Sequence, residues 1–248
     1  MILKKTFGLI GFPLGHSFSR RYFTQKFLSL GLRGYEYQLF ELRNEEEILS
    51  LLKDCPSICG LNVTSPYKQS IIPYLDDIDD VAAEINAVNT IKVSANGLIG
   101  FNTDYLGFEY ALLQAADISR IDFALIFGSG GAARSVAYVM KRLKIPFLFV
   151  SGKEHSGDDT ITYHQIQNFD LKKNLLFVNA TPCGMQGKAS MVPIDTACIR
   201  EHHILFDLIY NPSPTLLMTE FQKKGAKTVD GLSMLYAQAE ESWKIWTK

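Results

Sequence analysis

The chain has 248 residues, 47% of them hydrophobic and 21% charged, with a formal net charge of −1. That excludes a disordered chain and leaves apolar mass for one large domain or two modest ones. With 25 Lys plus Arg against 26 Asp plus Glu there is no global pull toward nucleic acid or an anionic membrane, and no apolar run approaches the ~18 residues of a membrane span. The four cysteines, Cys55, Cys59, Cys183 and Cys198, fit neither a zinc spacing nor a disulfide framework. Five histidines show no metal-binding spacing, and all except His16 read as surface residues. The expectation is therefore a cytoplasmic α/β protein with reduced thiols, no metal, and no nucleic-acid or membrane partner.

In chain order, Phe7–Gly11 reads as a first strand, because Gly8, Gly11 and Pro13 interrupt the apolar start too early for a cleaved leader. A loop carrying His16, Ser17 and Ser19 follows, then a helix over residues 21–30 stopped by Gly31. Strands are expected at 35–40 and 58–63, with a helix at 45–53 between them. Pro66 suits the first turn of a helix starting there, and a short helix is expected at 79–84. Residues 87–93 and 98–101 pair as strands around Asn96-Gly97, a strong hairpin signal. Thr103 then caps a helix through Ala115.

The second half repeats strand and helix. The run Asp122-Phe-Ala-Leu-Ile-Phe ends abruptly at Gly128-Ser-Gly130-Gly131-Ala132-Ala133-Arg134. Gly128, Gly130 and Ala133 stand at the three spacings of a dinucleotide-binding corner. The first glycine permits the tight turn. The second leaves no side chain between the backbone and a pyrophosphate, which the helix N-terminus then holds. A helix over 132–143 follows, then strands at 146–150, 175–179 and 204–208. Helices near 215–224 and after Gly231 close the chain, the last with Leu235, Ala239, Trp243 and Trp246 on one stripe. One nucleotide site in a chain of two α/β units implies a cleft between them for a second ligand.

Polar clusters past apolar strands supply candidates for that ligand. They are His16-Ser17-x-Ser19, Asn62-x-Thr64-x-x-x-Lys68, Asn86-x-x-Asn89-Thr90 and Asn102-Thr103-Asp104-x-x-Gly107. Each alone is an ordinary turn or cap; four in a row are harder to read so.

Together these segments resemble the shikimate dehydrogenase family across nearly the whole chain. Gly11-x-Pro13-x-x-His16-Ser17-x-Ser19, Asn62-Val-Thr64-x-Pro66-x-Lys68, Ala87-Val-Asn89-Thr90 and Asn102-Thr103-Asp104-x-x-Gly107 are similar to its N-terminal signatures. The glycine corner, Asn179-Ala-Thr181-Pro182-x-Gly184-Met185 and Asp230-Gly231-x-x-Met234-Leu235-x-x-Gln238 complete the set. The resemblance implies an N-terminal α/β catalytic domain over residues 1–103 and 231–248, with a C-terminal helix returning to it, and a Rossmann-type parallel-sheet domain over 104–230. It implies reversible, NADPH-dependent reduction of 3-dehydroshikimate to shikimate, in aromatic amino-acid biosynthesis. It places Lys68 and Asp104 as catalytic, and Ser17, Ser19, Asn62, Thr64, Asn89, Tyr210 and Gln238 on the substrate. Cofactor contacts fall to Gly128, Gly130, Gly131, Ala132, Arg134, Ser151, Lys153, Asn179, Thr181, Met185 and Gly231. A monomer or homodimer is expected.

Two departures from the family pattern stand out. Arg20 occupies a position where the family usually carries proline. Ser151-Gly152-Lys153 stands where NADP-dependent members usually have Asn-Arg-Ser/Thr, so the phosphate-binding arginine is replaced by Gly152. NADP remains the expected cofactor, with weaker discrimination against NAD. The alternatives are an NAD-using quinate/shikimate dehydrogenase, a non-catalytic NADP-sensing protein on the same scaffold, and a methylenetetrahydrofolate dehydrogenase-like enzyme, which the paired serines speak against.

Overall fold

A computed structural model of the chain describes residues 4–15, 17–152, 159–190 and 192–248. Two compact units emerge: residues up to Thr103 together with Ala239–Lys248, and Asp104–Gln238.

The first unit is built from β1 (Lys5–Gly11), α1 (Phe18–Ser29), β2 (Tyr35–Glu41), α2 (Glu47–Asp54), β3 (Ile58–Val63), β4 (Asp77–Ile78), α3 (Asp80–Ile85), β5 (Thr90–Ser94) and β6 (Gly97–Phe101). Its sheet has the order β2-β1-β3-β5-β6-β4. β1 runs parallel to β2 and β3, while β5 is antiparallel to β3 and to β6, so the sheet is mixed. One face packs Ile10, Leu61, Val63 and Ile71 into an aliphatic core. The other gathers Phe7, Phe23, Phe27, Tyr37 and Trp246 into an aromatic one. Gly60 is required there, since a Cβ would collide with the Trp246 indole, whose Nε1 donates to Ile91 O at 3.0 Å.

Two local expectations change in this unit. The expected helix at Pro66 does not form. Residues 65–71 run as successive turns, closed by bonds such as Tyr67 N to Thr64 O at 3.0 Å and Ile71 N to Tyr67 O at 3.0 Å. Packing decides this: Tyr67 and Ile71 are buried, and the Tyr67 hydroxyl donates to Leu42 O at 2.6 Å. In the hairpin, Ser94 pairs with Gly97, so the loop residues are Ala95 and Asn96. The positive φ (+103°) falls on Gly97, as where a glycine bulge follows a tight turn.

The second unit contains α4 (Asp104–Ala115), β7 (Phe123–Phe127), α5 (Gly131–Arg142), β8 (Phe147–Ser151), β9 (Thr160–Thr162), β10 (Leu175–Asn179), β11 (Ile204–Asp207), α6 (Leu216–Lys223), β12 (Lys227–Val229) and the start of α7 (Leu232–Thr247). All six strands are parallel, in the order β12-β11-β10-β7-β8-β9. Numbered from its first strand this is the 3-2-1-4-5-6 order of a doubly wound nucleotide-binding sheet. Its strands are buried on both faces: Ala124 and Ile126 on one side, Leu125 and Phe127 on the other. The short edge strands β9 and β12 carry no sequence signal and were not expected.

Residues 231–238 belong to the second unit, not the first as expected. Gly231 N donates to Ile209 O at 3.1 Å, Met234 joins the core beside α4 and α5, and Gly107 faces the Met234 carbonyl. The buried positions on α7 are Met234, Gln238, Ala239, Ser242 and Trp246, with Leu235 and Trp243 only partly buried. The buried stripe is thus rotated from the expected one and includes two polar residues. Among the described residues no helix is long and apolar enough to cross a membrane.

Candidate functional site

In the first unit the expected substrate residues belong to a buried polar network. Asn62, the penultimate residue of β3, accepts from the Tyr37 hydroxyl at 2.8 Å through Oδ1. Its amide nitrogen donates to Ser242 Oγ at 3.0 Å, Thr90 Oγ1 at 3.3 Å and Asn89 O at 3.3 Å. Asn89 Oδ1 accepts from Thr103 N at 2.7 Å, and Asn89 Nδ2 donates to Thr103 Oγ1 at 3.0 Å. Ser242 lies 2.8 Å from Thr90 Oγ1 and 3.2 Å from Thr103 Oγ1. Ser19 is drawn in through a hydrogen bond with Tyr37, whose burial pushes its phenol well above the ordinary tyrosine value.

The loops that frame this network are tied together. Thr64 N donates to Ile10 O at 2.9 Å, and Phe12 N to Ser65 O at 3.2 Å. Gly11 is bare because a Cβ would strike the Thr64 methyl. Ser17 caps α1, accepting weakly from Arg20 N at 3.4 Å, so Arg20 lies in the helix's first turn. Lys68 lies in the turns after Thr64, partly exposed, with its carbonyl accepting from Val88 N at 2.6 Å. Thr90 and Thr103 belong to the polar clusters read from the sequence, whereas Tyr37 and Ser242 were not anticipated. Of those two, only Ser242 left a sequence signal, four residues after Gln238 on the same helix face.

In the second unit, Asp104 opens α4 and is buried, one turn before Gly107. A Cβ on Gly107 would meet Met234 O at 2.6 Å and Gln238 N at 3.1 Å, so the bare glycine lets α4 and α7 cross closely. Gln238 is buried at that crossing and donates to Leu235 O at 2.9 Å. Tyr210 follows β11, and burial raises its hydroxyl above the ordinary value.

The glycine corner sits at the carboxyl end of β7, where the strand order reverses between β7 and β10. Ligands of such sheets bind at this point. Gly128 has φ +97° and donates to Val150 O at 3.0 Å. Gly130 is the N-cap of α5, and among the described residues no side chain caps the helix and a Cβ there would meet nothing within 4 Å. Ala133 is fully buried, giving close helix–strand packing. Gly131, Ala132 and Arg134 occupy the first turn, and Arg134 Nε is buried with no hydrogen-bond partner among the described residues. An open cradle, uncapped helix N–H groups and an orphaned guanidinium nitrogen together fit an arriving pyrophosphate-bearing ligand.

Ser151 ends β8 and Gly152 follows it; Lys153 and His16 lie outside the described residues. Asn179 ends β10, level with Phe127, and its Oδ1 accepts from Thr181 N at 3.1 Å and Thr181 Oγ1 at 2.7 Å. Thr181 in turn stands against Gly128, its methyl 3.1 Å from where a Cβ would be. Gly231 abuts the Leu208 carbonyl, and Met185 is exposed.

The chain is similar to known proteins. Residues 9–91 match the family model described as the shikimate dehydrogenase substrate binding domain. A shikimate dehydrogenase (NADP(+)) of Clostridium beijerinckii is 35% identical over 250 residues, covering 97% of this chain and 91% of that one. The chain belongs to the shikimate dehydrogenase family.

Solved members of the family share its fold. The crystal structure of shikimate dehydrogenase 1 from Peptoclostridium difficile superposes with a TM-score of 0.86 at 35% identity, covering 98% of this chain and 91% of that one. The Thermus thermophilus enzyme, in complex with NADP(H) and shikimate, gives 0.84 at 27% identity, covering 98% and 93%.

Proposed function

We propose that the protein is an NADP-dependent shikimate dehydrogenase that reversibly reduces the 3-keto group of 3-dehydroshikimate. The observation that carries this is the glycine corner at the switch point of a 3-2-1-4-5-6 sheet, in a chain of this family. The cofactor, when bound, supplies a hydride to the ketone carbon and takes one back in reverse.

The rest falls to the protein's own groups. The N–H groups of α5 and the Arg134 guanidinium hold the cofactor phosphates. Lys68 donates a proton to the substrate oxygen as negative charge builds there, and its ammonium stabilises that charge beforehand. Asp104 accepts from a ring hydroxyl. Ser17 and Ser19 donate to the substrate carboxylate. Asn62, Thr64, Asn89, Tyr210 and Gln238 meet the ring hydroxyls. The Asn62 carbonyl, with Tyr37 as its one donor among the described residues, has a second lone pair for that purpose. A hydroxylated ring needs such a set, since each buried group left unpaired costs ~1–3 kcal/mol.

A second reading, an NAD-using quinate/shikimate dehydrogenase, draws support from Gly152, which brings no guanidinium to the end of β8. One assay separates the two: absorbance of the reduced nicotinamide, with shikimate or quinate and NADP+ or NAD+. The expected result is the highest kcat/KM with shikimate and NADP+. A clear preference for NAD+ or quinate favours the second reading, and no turnover with any pair sinks both.

A further inference from the structure

Asp207, the last residue of β11, is fully buried, and its hydrogen-bond partners among the described residues, Asn179, Ile209 and Thr215, are neutral. Burial pushes its carboxyl above the ordinary carboxylate range, against the hydrogen bonds that stabilise the charged form. A buried acid without a cation is costly to a fold. Its position shows what it does.

Phe127, Asn179 and Asp207 stand level on three adjacent parallel strands, at their carboxyl ends. Asp207 Oδ1 accepts from Asn179 Nδ2 at 2.9 Å and from Ile209 N at 3.1 Å. That fixes which way the Asn179 amide faces. With its nitrogen turned to Asp207, its oxygen must face Thr181 and accept from both the Thr181 amide and hydroxyl. Thr181 Oγ1 then accepts from Cys183 N at 3.2 Å. The loop after β10 is thus anchored through Asn179 and laid against Gly128.

We infer that Asp207 is a positioning residue: through Asn179 it sets the 180–183 loop against the glycine corner and so shapes the floor on which the dinucleotide rests. This rests on the reading of that corner as the cofactor site. Its other oxygen accepts from Thr215 Oγ1 at 2.7 Å, and Thr215 caps α6. That second bond is a structural role separable from the first.

The test uses the full chain, NADP+ titration by calorimetry, and amide hydrogen exchange without ligand. Asp207→Ala is expected to raise the NADP+ Kd about tenfold, the scale of one lost buried hydrogen bond. It should also speed exchange at the Thr181 and Cys183 amides, with a smaller effect on the KM for shikimate. Asp207→Asn can turn its oxygen to Asn179 and Ile209 and its amide to Thr215, so it should bind nearly as the wild type does. Thr215→Val should lower the Tm yet leave the Kd and the loop exchange unchanged. If the alanine variant does not fold, Asp207→Ser carries the same comparison. Three results would overturn the inference while the cofactor reading stood: unchanged loop exchange in Asp207→Ala, equal weakening by Thr215→Val, or no rescue by asparagine. A wild-type protein that binds neither NADP+ nor NAD+ would remove the cofactor reading and this inference with it.

Discussion

At Gly152 a Cβ would meet nothing within 4 Å among the described residues, and the backbone is not in the left-handed region, so those residues leave room for a long side chain. A guanidinium there could hold a ribose 2′-phosphate through two parallel bonds. Gly152→Arg should therefore raise the ratio of kcat/KM for NADP over NAD about tenfold, the value of one added charge-assisted contact. An unchanged ratio would mean that the end of β8 does not face the phosphate. Lys68 has a different kind of test. Lys68→Ala removes the proton donor and should lower kcat by ~10²–10⁴ while NADP+ still binds with its wild-type Kd. Near-normal kcat in that variant would end the assignment, and a lost Kd would mean the substitution had damaged the fold.

At the scale of elements, the crossing of α4 and α7 depends on one missing side chain. Gly107 faces backbone atoms of Met234 and Gln238, which cannot rotate away as a flexible side chain could. Gly107→Ala should push the helices apart and cost ~1–3 kcal/mol, as overpacking does. Because Asp104 and Gln238 both sit at that crossing, the KM for shikimate should rise as well. A urea midpoint and KM equal to wild type would show that the contact yields freely. The same crossing separates what the sequence discloses from what it hides. The β7–glycine–α5 corner was legible because an apolar run, three glycines and a helix-forming run each point to it locally. The Gly107 spacing was visible as a motif, but its reason, the Met234 carbonyl, lies far along the chain. Tyr37 and Ser242 meet Asn62 across 25 and 180 residues; no local pattern marks Tyr37, and only the spacing from Gln238 marks Ser242. The helix expected at Pro66 failed for a related cause, since burial of Tyr67 and Ile71 overrode a capping signal. β9 and β12 are three-residue edges with no room for a period to show.

For the molecule as a whole, acid sensitivity follows from one buried histidine. His203 is fully buried against Phe177, with ring centroids 5.3 Å apart, and its Nδ1 accepts from Arg200 N at 3.1 Å. Burial first, and the neighbouring His202 second, lower its pKa to about 4. In the unfolded chain it titrates near ~6.5. Between those values the unfolded state binds the proton and the folded state does not, so stability rises with pH there. The contribution is complete above ~6.5 and is lost as pH falls toward 4, on the order of 3 kcal/mol in all. Asp207 has the opposite sign, because its raised pKa means that a proton relieves a buried charge. Glu36 and Asp117, with lowered pKa, lose their stabilising share only below the ordinary ~4 of carboxylates, beneath most of the histidine window. His203→Asn places an oxygen near the Nδ1 position and cannot titrate. Its urea midpoint should therefore fall less than the wild type's between pH 7 and 4.5. Far-UV circular dichroism is the suitable probe, because both tryptophans lie in the first unit and His203 in the second. Equal slopes for the two proteins would show that another group governs acid unfolding.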